Sequence, residues 1–187
     1  MKLISTSIEN VIIIEPAVFA DNRGSFLETY HLNRYKEAGI KINFVQDNLS
    51  YSTKGTIRGL HYQFPNSQTK LVQVIYGEVY DVAVDIRSGS PTFGQYVGTI
   101  LSEENNRQLY IPGGFAHGFC VLSNTAVFAY KCSDFYSPES EKGLLWSDSE
   151  LAIDWPQRNP LLSDKDSQYP SLKDVPPENL PVHGETQ

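Results

Sequence analysis

The chain has 187 residues, with 15 Lys and Arg against 22 Asp and Glu, a net charge of -7 and a sequence pI near 5.0. That length suits one domain around one core, and the acidic balance excludes a chain that grips nucleic acid through a general basic field, because phosphate binding needs clustered Lys and Arg. Any phosphate-bearing ligand must meet local arginines, while 11 Tyr, 9 Phe and 2 Trp suit a β-rich fold and supply flat surfaces on which a base or sugar can stack.

The start, MKLISTSIENVIIIEP, holds one apolar run ending at Glu15-Pro16, too short for a membrane span and without a signal-peptide layout, so a cytoplasmic protein with no membrane partner is expected. Residues 8–15 (IENVIIIE) are predicted as a strand, and Phe19 to Gly24 as a turn before a second strand over SFLETY (25–30). Residues 31–39 (HLNRYKEAG) are the best helix candidate, closed by Gly39, with His31 as a surface residue near its start. Residues 42–52 (INFVQDNLSYS) return to strand character. Gln46, Asp47 and Asn48 interrupt that run with three hydrogen-bonding side chains, either a satisfied structural cluster or a ligand contact.

Residues 57–86 read as three strands. In the first, Ile57, Gly59, His61 and Gln63 alternate on one face, while Arg58 points away unless Gly59 provides a bulge or a close backbone approach that swings it round. The runs 71–76 (LVQVIY) and 79–84 (VYDVAV) flank Gly77-Glu78, the pattern of a hairpin with a two-residue loop. That hairpin sets Tyr76 opposite Val79 and Lys70 opposite Asp85, and puts Lys70, Val72 and Val74 on one face with Asp81, Ala83 and Asp85. Lysine near aspartate is by itself a solvated cross-strand pair of at most about 1 kcal/mol. The imidazole of His61 and the amide of Gln63 on the preceding strand are what raise a site above that reading.

Residues 87–94 form a loop, followed by a strand (QYVGTILS), a polar turn at 103–107, and the runs LYIPGGFAHGFCVL and TAVFAYKC. A turn at 122–125 would pair the last two runs and place His117 opposite Tyr130 or its neighbour. Such a pair is as often a core device as an acid/base or anion-binding site. Cys120 and Cys132 lack metal-type spacing and read as reduced core residues. From residue 155 the chain carries prolines at 156, 160, 170, 176, 177 and 181, a coil that packs against the body and then frays, with Leu161 to Asp166 as its apolar-anchored piece. Strands joined by turns, one short helix and no βαβ alternation imply an antiparallel sandwich or barrel.

The ordered motifs RGLHYQ (58–63), KLV (70–72), EVYDVAVDIR (78–87), SPTFG (90–94), PGGFAHGF (112–119), AYK (129–131) and LSDKD (162–166) together strongly resemble the dTDP-4-dehydrorhamnose 3,5-epimerase family, from about residue 8 to 172. The resemblance implies an all-β cupin jelly roll, a double-stranded β-helix with a short helix and an irregular C-terminal segment. It implies a single epimerase domain, packed over about 1–172 with a flexible tail at about 173–187, in a homodimer. Metal-binding cupins usually carry a His-x-His pair plus Glu on one motif and a further His on the next. Here the first motif reads His61-Tyr62-Gln63, leaving His61 and His117, so neither metal nor other cofactor is expected.

The substrate implied is dTDP-4-dehydro-6-deoxy-D-glucose, whose C-4 ketone acidifies the protons on C-3 and C-5. By resemblance His61 is the base, Asp166 supports its protonated form, Tyr130 is the proton donor on the opposite face and Lys70 stabilises the enolate oxygen. His117 and Arg58 match positions that hold the sugar and diphosphate. The nucleotide end maps onto Arg23 for phosphate, onto Glu28, Gln46, Asp47 and Asn48 for thymidine, and onto Tyr136 for stacking, with Glu141 and Lys165 as further contacts; some come from the partner subunit. Asp81, on the face of Lys70, is placed to hold that lysine. The rivals are a related enzyme, either a single-site 3- or 5-epimerase or a ketoisomerase, and a non-catalytic sugar-binding jelly roll.

Overall fold

Runs rich in β-branched and aromatic residues form strands wherever a pleated, half-buried surface can take them. The computed structural model describes residues 1–184. It begins with β1 (Lys2–Ser5), β2 (Ile12–Glu15), the ribbon β3 (Val18–Asp21) and β4 (Gly24–Leu27), and the helix α1 (Leu32–Glu37). The body follows as β5 (Gln46–Thr53), β6 (Ile57–Gln63), β7 (Lys70–Tyr76), β8 (Glu78–Asp85), β9 (Tyr96–Ser102), β10 (Gln108–Ile111), β11 (Phe115–Val121), β12 (Thr125–Cys132) and β13 (Glu141–Gly143). A six-stranded sheet has the order β1-β2-β10-β7-β12-β5, and a five-stranded sheet the order β13-β6-β11-β8-β9.

The two sheets close on a common interior that includes Val72, Val74, Val79, Ala83, Phe119, Val121 and Phe128. Phe128 is fully buried, its ring stacked on Phe119 at 4.1 Å and on His117 at 6.1 Å between centroids. The outer face of the five-stranded sheet carries Ile57, Leu60, Val82, Val84 and Ala116 under a cover of Trp155, Leu172, Val175 and Leu180. The chain is thus an all-β jelly roll with one short helix, as the strand pattern and the family resemblance predict.

Neither predicted hairpin exists. β7 bonds to β10 and β12, whereas β8 bonds to β11 and β9. Gly77, at φ +81, carries the chain from one sheet to the other, and a Cβ there would sit 2.2 Å from the Thr125 carbonyl oxygen. Likewise β11 pairs with β6 and β8, so His117 faces His61 and Ala83, while Tyr130 on β12 faces Asn48 and Val72. A turn signal says that the chain reverses, not that it stays in one sheet. The two sets therefore do not share one face, but the alternation within each strand holds, Lys70, Val72 and Val74 looking inward from one wall and Val79, Asp81 and Ala83 from the other.

Other differences are local. The strand predicted over 8–15 starts only at Ile12, because Ile8 and Val11 serve as core plugs on a turn; β1, which pairs with β2, is an addition. β4 ends at Leu27 and β5 starts at Gln46, both shorter than the predicted runs. His31 is the N-cap of α1, accepting from Arg34 N, and Gly39 follows the helix at φ +101. Packing also continues past residue 172, where a fraying tail is expected. Val175 and Leu180 are buried on the apolar face of the five-stranded sheet, and Val182 bridges to Ser88. The end of the predicted tail, 185–187, lies outside the described residues.

Candidate active site

β6 positions the first group. Its register against β11 runs His117↔His61 and then Phe119↔Arg58, with a shift between them. Gly59 sits in that bulge at φ +123, and a Cβ there would meet Gly118 Cα at 2.6 Å and the His117 carbonyl oxygen at 2.7 Å. The extra residue sends Ile57, Leu60 and Tyr62 into the outer cluster, while His61 and Gln63 line a cavity on the other side that Tyr62 also borders. Arg58 is therefore swung round, its Nε donating to Ser52 Oγ at 2.9 Å.

His61 Nε2 lies 2.6 Å from Asp166 Oδ1. Asp166 is buried on the turn Ser163 to Tyr169; burial pushes its carboxyl up, but hydrogen bonds from His61, the Gly59 N–H and Ser163 outweigh this and hold it below the usual carboxylate value. The Tyr169 ring meets His61 edge-on at 5.8 Å between centroids. Behind them His117 Nε2 lies 3.0 and 3.1 Å from the two oxygens of the fully buried Asp81. Burial pulls the His117 imidazole down, against the pull of Asp81. Asp81 is thus hydrogen-bonded to His117 and not to Lys70, because it faces Lys70 across the interior instead of beside it in a hairpin.

Lys70 comes from the other sheet, next to Cys132 in the β7–β12 ladder. Burial pulls its ammonium below the ordinary lysine value, with Cys132, Asp81 and Glu141 acting the other way. Among the described residues no carboxylate lies within ion-pair distance of it. Tyr130 stands on the adjacent strand, its phenol pushed up by burial.

A cavity of about 240 Å³ is lined by His61 from one sheet and Lys70 and Tyr130 from the other, with Gln46, Asn48, Tyr136 and Glu141 around them. At its rim Tyr136 Oη donates to Glu141 at 2.6 Å, and Lys165 forms an ion pair with the same carboxylate. Burial raises the Glu141 carboxyl, but these two partners hold it below its ordinary value. Gln63, whose amide the sequence sets beside His61, lines the cavity as well, and so do Tyr62 and Gln68, to which the motifs assign no role.

Three candidates lie away from this cavity within the chain. Arg23 is exposed at the tip of the β3–β4 ribbon, paired with Asp21 at 2.7 Å, and Glu28 pairs with Arg34 at 2.8 Å. Asp47 alternates with Gln46 and Asn48, so period two turns it to the outer face, where it bonds Lys131 at 2.9 Å. Among the described residues no group of three or more His, Cys, Asp or Glu is placed to hold a metal ion, and no helix is long and apolar enough to cross a membrane.

A histidine paired with a buried carboxylate on one wall, with a tyrosine and a buried lysine on the other, can remove and return a carbon-bound proton. The chain is 60% identical over 168 residues, 89% of itself and 93% of the relative, to the dTDP-4-dehydrorhamnose 3,5-epimerase of Shigella flexneri. It is 45% identical, over 89% of itself and 81% of the relative, to the dTDP-4-dehydrorhamnose 3-epimerase of Streptomyces niveus. Its fold matches the crystal structure of the dTDP-6-deoxy-D-glucose-3,5-epimerase of Legionella pneumophila in complex with dTDP-4-keto-L-rhamnose, with a TM-score of 0.96 and 54% identity over 98% of this chain and 99% of that one. Residues 5–174 match the family model described as dTDP-4-dehydrorhamnose 3,5-epimerase, and the chain belongs to that family.

Proposed function

We propose that the protein inverts C-3 and C-5 of dTDP-4-dehydro-6-deoxy-D-glucose, giving dTDP-4-dehydro-L-rhamnose for the making of dTDP-L-rhamnose, with no metal or other cofactor. The observation that carries this reading is one cavity lined by His61, paired with Asp166, from one sheet and by Lys70 and Tyr130 from the facing one.

The C-4 ketone makes the protons on C-3 and C-5 acidic. His61 takes the proton from one face, and Asp166 stabilises the imidazolium that forms. Negative charge moves to the C-4 oxygen, where the Lys70 ammonium is already in place and needs no reorganisation. Tyr130 returns a proton from the other face, which inverts the carbon. Exchange with solvent then takes the proton from His61 and reprotonates Tyr130, and turning the second acidic carbon past the same groups repeats the cycle, so one base, one acid and one cation serve both centres. His117, held by Asp81, and Arg58 grip the sugar and diphosphate. Tyr136 stacks on the base, Gln46 and Asn48 meet thymidine, and Glu141 with Lys165 closes the rim.

The protein acts as a single-domain, cytoplasmic homodimer in this reading, with Arg23 and Glu28 delivered to the partner's nucleotide site. The support is the β3–β4 ribbon, which carries Arg23 and leaves Phe19 and Phe26 65% and 68% exposed, together with the open edge strand β5 and its exposed Leu49 and Tyr51. Asp47, on the outer face, is left near that interface. Sedimentation or light scattering that found only monomers would remove this part of the reading.

The reaction itself is tested by following the substrate by NMR in deuterated water. Deuterium at both C-3 and C-5 with the L-rhamno configuration supports double inversion. Label at one carbon makes the protein a single-site epimerase, and no label makes it a sugar-binding jelly roll.

A further inference from the structure

Three glutamine side chains from separate parts of the chain converge on four consecutive residues. Gln46 Oε1 accepts from Tyr136 N at 2.8 Å, and Gln63 Oε1 accepts from Ser137 N at 2.9 Å. Gln63 Nε2 donates to Phe135 O at 3.3 Å and to Asn66 O at 3.0 Å, while Gln68 Nε2 donates to Asp134 O at 2.9 Å. Gln46 begins β5 in one sheet and Gln63 ends β6 in the other, so this loop is tied to both walls of the cavity.

The ties matter because the loop has few others, Phe135 N to Asp134 Oδ1 within the loop and Tyr136 Oη to Glu141 at the rim. Among the described residues, Asp134, Phe135 and Tyr136 make no backbone-to-backbone hydrogen bond, and Phe135 and Tyr136 are 66% and 52% exposed. Side-chain amides do here what a ladder does in a strand. Gln63 is buried and spends both N–H groups on carbonyls of the protein, so although it lines the cavity it has no donor left for a bound molecule. Only an amide matches this spot. Leucine would leave the Ser137 N–H and the two carbonyls without partners, and glutamate would aim lone pairs at both carbonyls.

We propose that Gln63 is a positioning residue which, with Gln46 and Gln68, holds the backbone of residues 134–137 so that the Tyr136 ring stands at the cavity rim. It sets affinity for the nucleoside diphosphate end of the substrate and leaves proton transfer to the groups deeper in. The proposal rests on the reading of Tyr136 as the stacking surface for the base.

The test measures the affinity of the full chain for dTDP by calorimetry, with KM and kcat from deuterium uptake. Tyr136→Ala and Gln63→Leu are each expected to weaken dTDP about 10-fold, within what loss of base stacking costs. KM should rise with kcat within about 3-fold, and the double variant should bind no more than about 2-fold worse than either single one, because both changes remove the same contact. Gln63→Glu adds a readout that mere loss of stability would not move. Lowering the pH protonates the buried glutamate and restores one donor, so its dTDP affinity relative to the unaltered protein should recover as pH falls. The proposal is overturned if Gln63→Leu binds dTDP normally while Tyr136→Ala does not, if kcat falls with KM unchanged, if the two losses add, or if the Gln63→Glu ratio ignores pH. Normal binding by Tyr136→Ala would remove the stacking reading, and the proposal with it.

Discussion

His61 Nε2 and Asp166 Oδ1 are 2.6 Å apart although 105 positions separate them in the chain. β6 supplies the imidazole, and a turn in the irregular C-terminal segment supplies the carboxylate that hydrogen-bonds it.

This pairing and Tyr130 on the other wall should separate abstraction from inversion. His61→Asn is expected to abolish both epimerisation and deuterium uptake, a loss of at least about 10³-fold. Tyr130→Phe keeps the base but removes the donor, so the enolate is reprotonated by His61 after exchange with solvent. Deuterium should then enter with configuration retained. NMR of the recovered sugar decides it, and loss of exchange in Tyr130→Phe as complete as in His61→Asn would assign abstraction to the tyrosine.

Lys70→Ala is expected to slow exchange at C-3 and C-5 together, by about 10²- to 10³-fold, because one enolate oxygen serves both carbons. Exchange slowed at only one carbon would make Lys70 a positioning group. Burial holds its ammonium below the ordinary lysine value. The cation is present below its own pKa, so activity should fall on the alkaline side at a lower pH than an exposed lysine would give, and Lys70→Arg should move that limb upward.

Removing metal should change nothing. Chelator-treated protein is expected to keep its full rate, because His61 and His117 each engage a carboxylate through Nε2 and the Gln63 amide is bonded to loop residues. Metal analysis that found a stoichiometric ion whose removal halted exchange would contradict this.

Asp85 predicts a stability difference with a definite pH dependence. Burial pushes its carboxyl up, but Arg87, Ser90 and Thr92 outweigh this and bring it from 3.8 down to about 2. A depressed folded value stabilises the protein above the unfolded value, and the benefit disappears as pH falls through the folded one. Asp85→Asn should therefore cost about 2 kcal/mol at pH 7. Denaturant titrations should show the gap shrinking below about pH 4 and vanishing near pH 2.

What the sequence determined by itself was what adjacent residues decide. Alternation showed which residues of each strand look the same way, Lys70 with Val72 and Asp81 with Ala83, Gly59 marked the bulge beside Arg58, and the order of the motifs was enough to name the family. Period two also implied that Asp47 points away from Gln46 and Asn48, and the motif-based assignment passed over it. Pairing was not legible. Gly77 and the 122–125 turn look alike whether the chain folds back within a sheet or crosses to the facing one, and that choice is made by burying both faces of β8 and β11 between the interior and the C-terminal cover. The tertiary structure therefore decided that Asp81 binds His117, that Val175 and Leu180 are core residues, and that three glutamines meet one loop. Each of these contacts joins groups that no local periodicity connects, and each is fixed only when the two sheets close on one another.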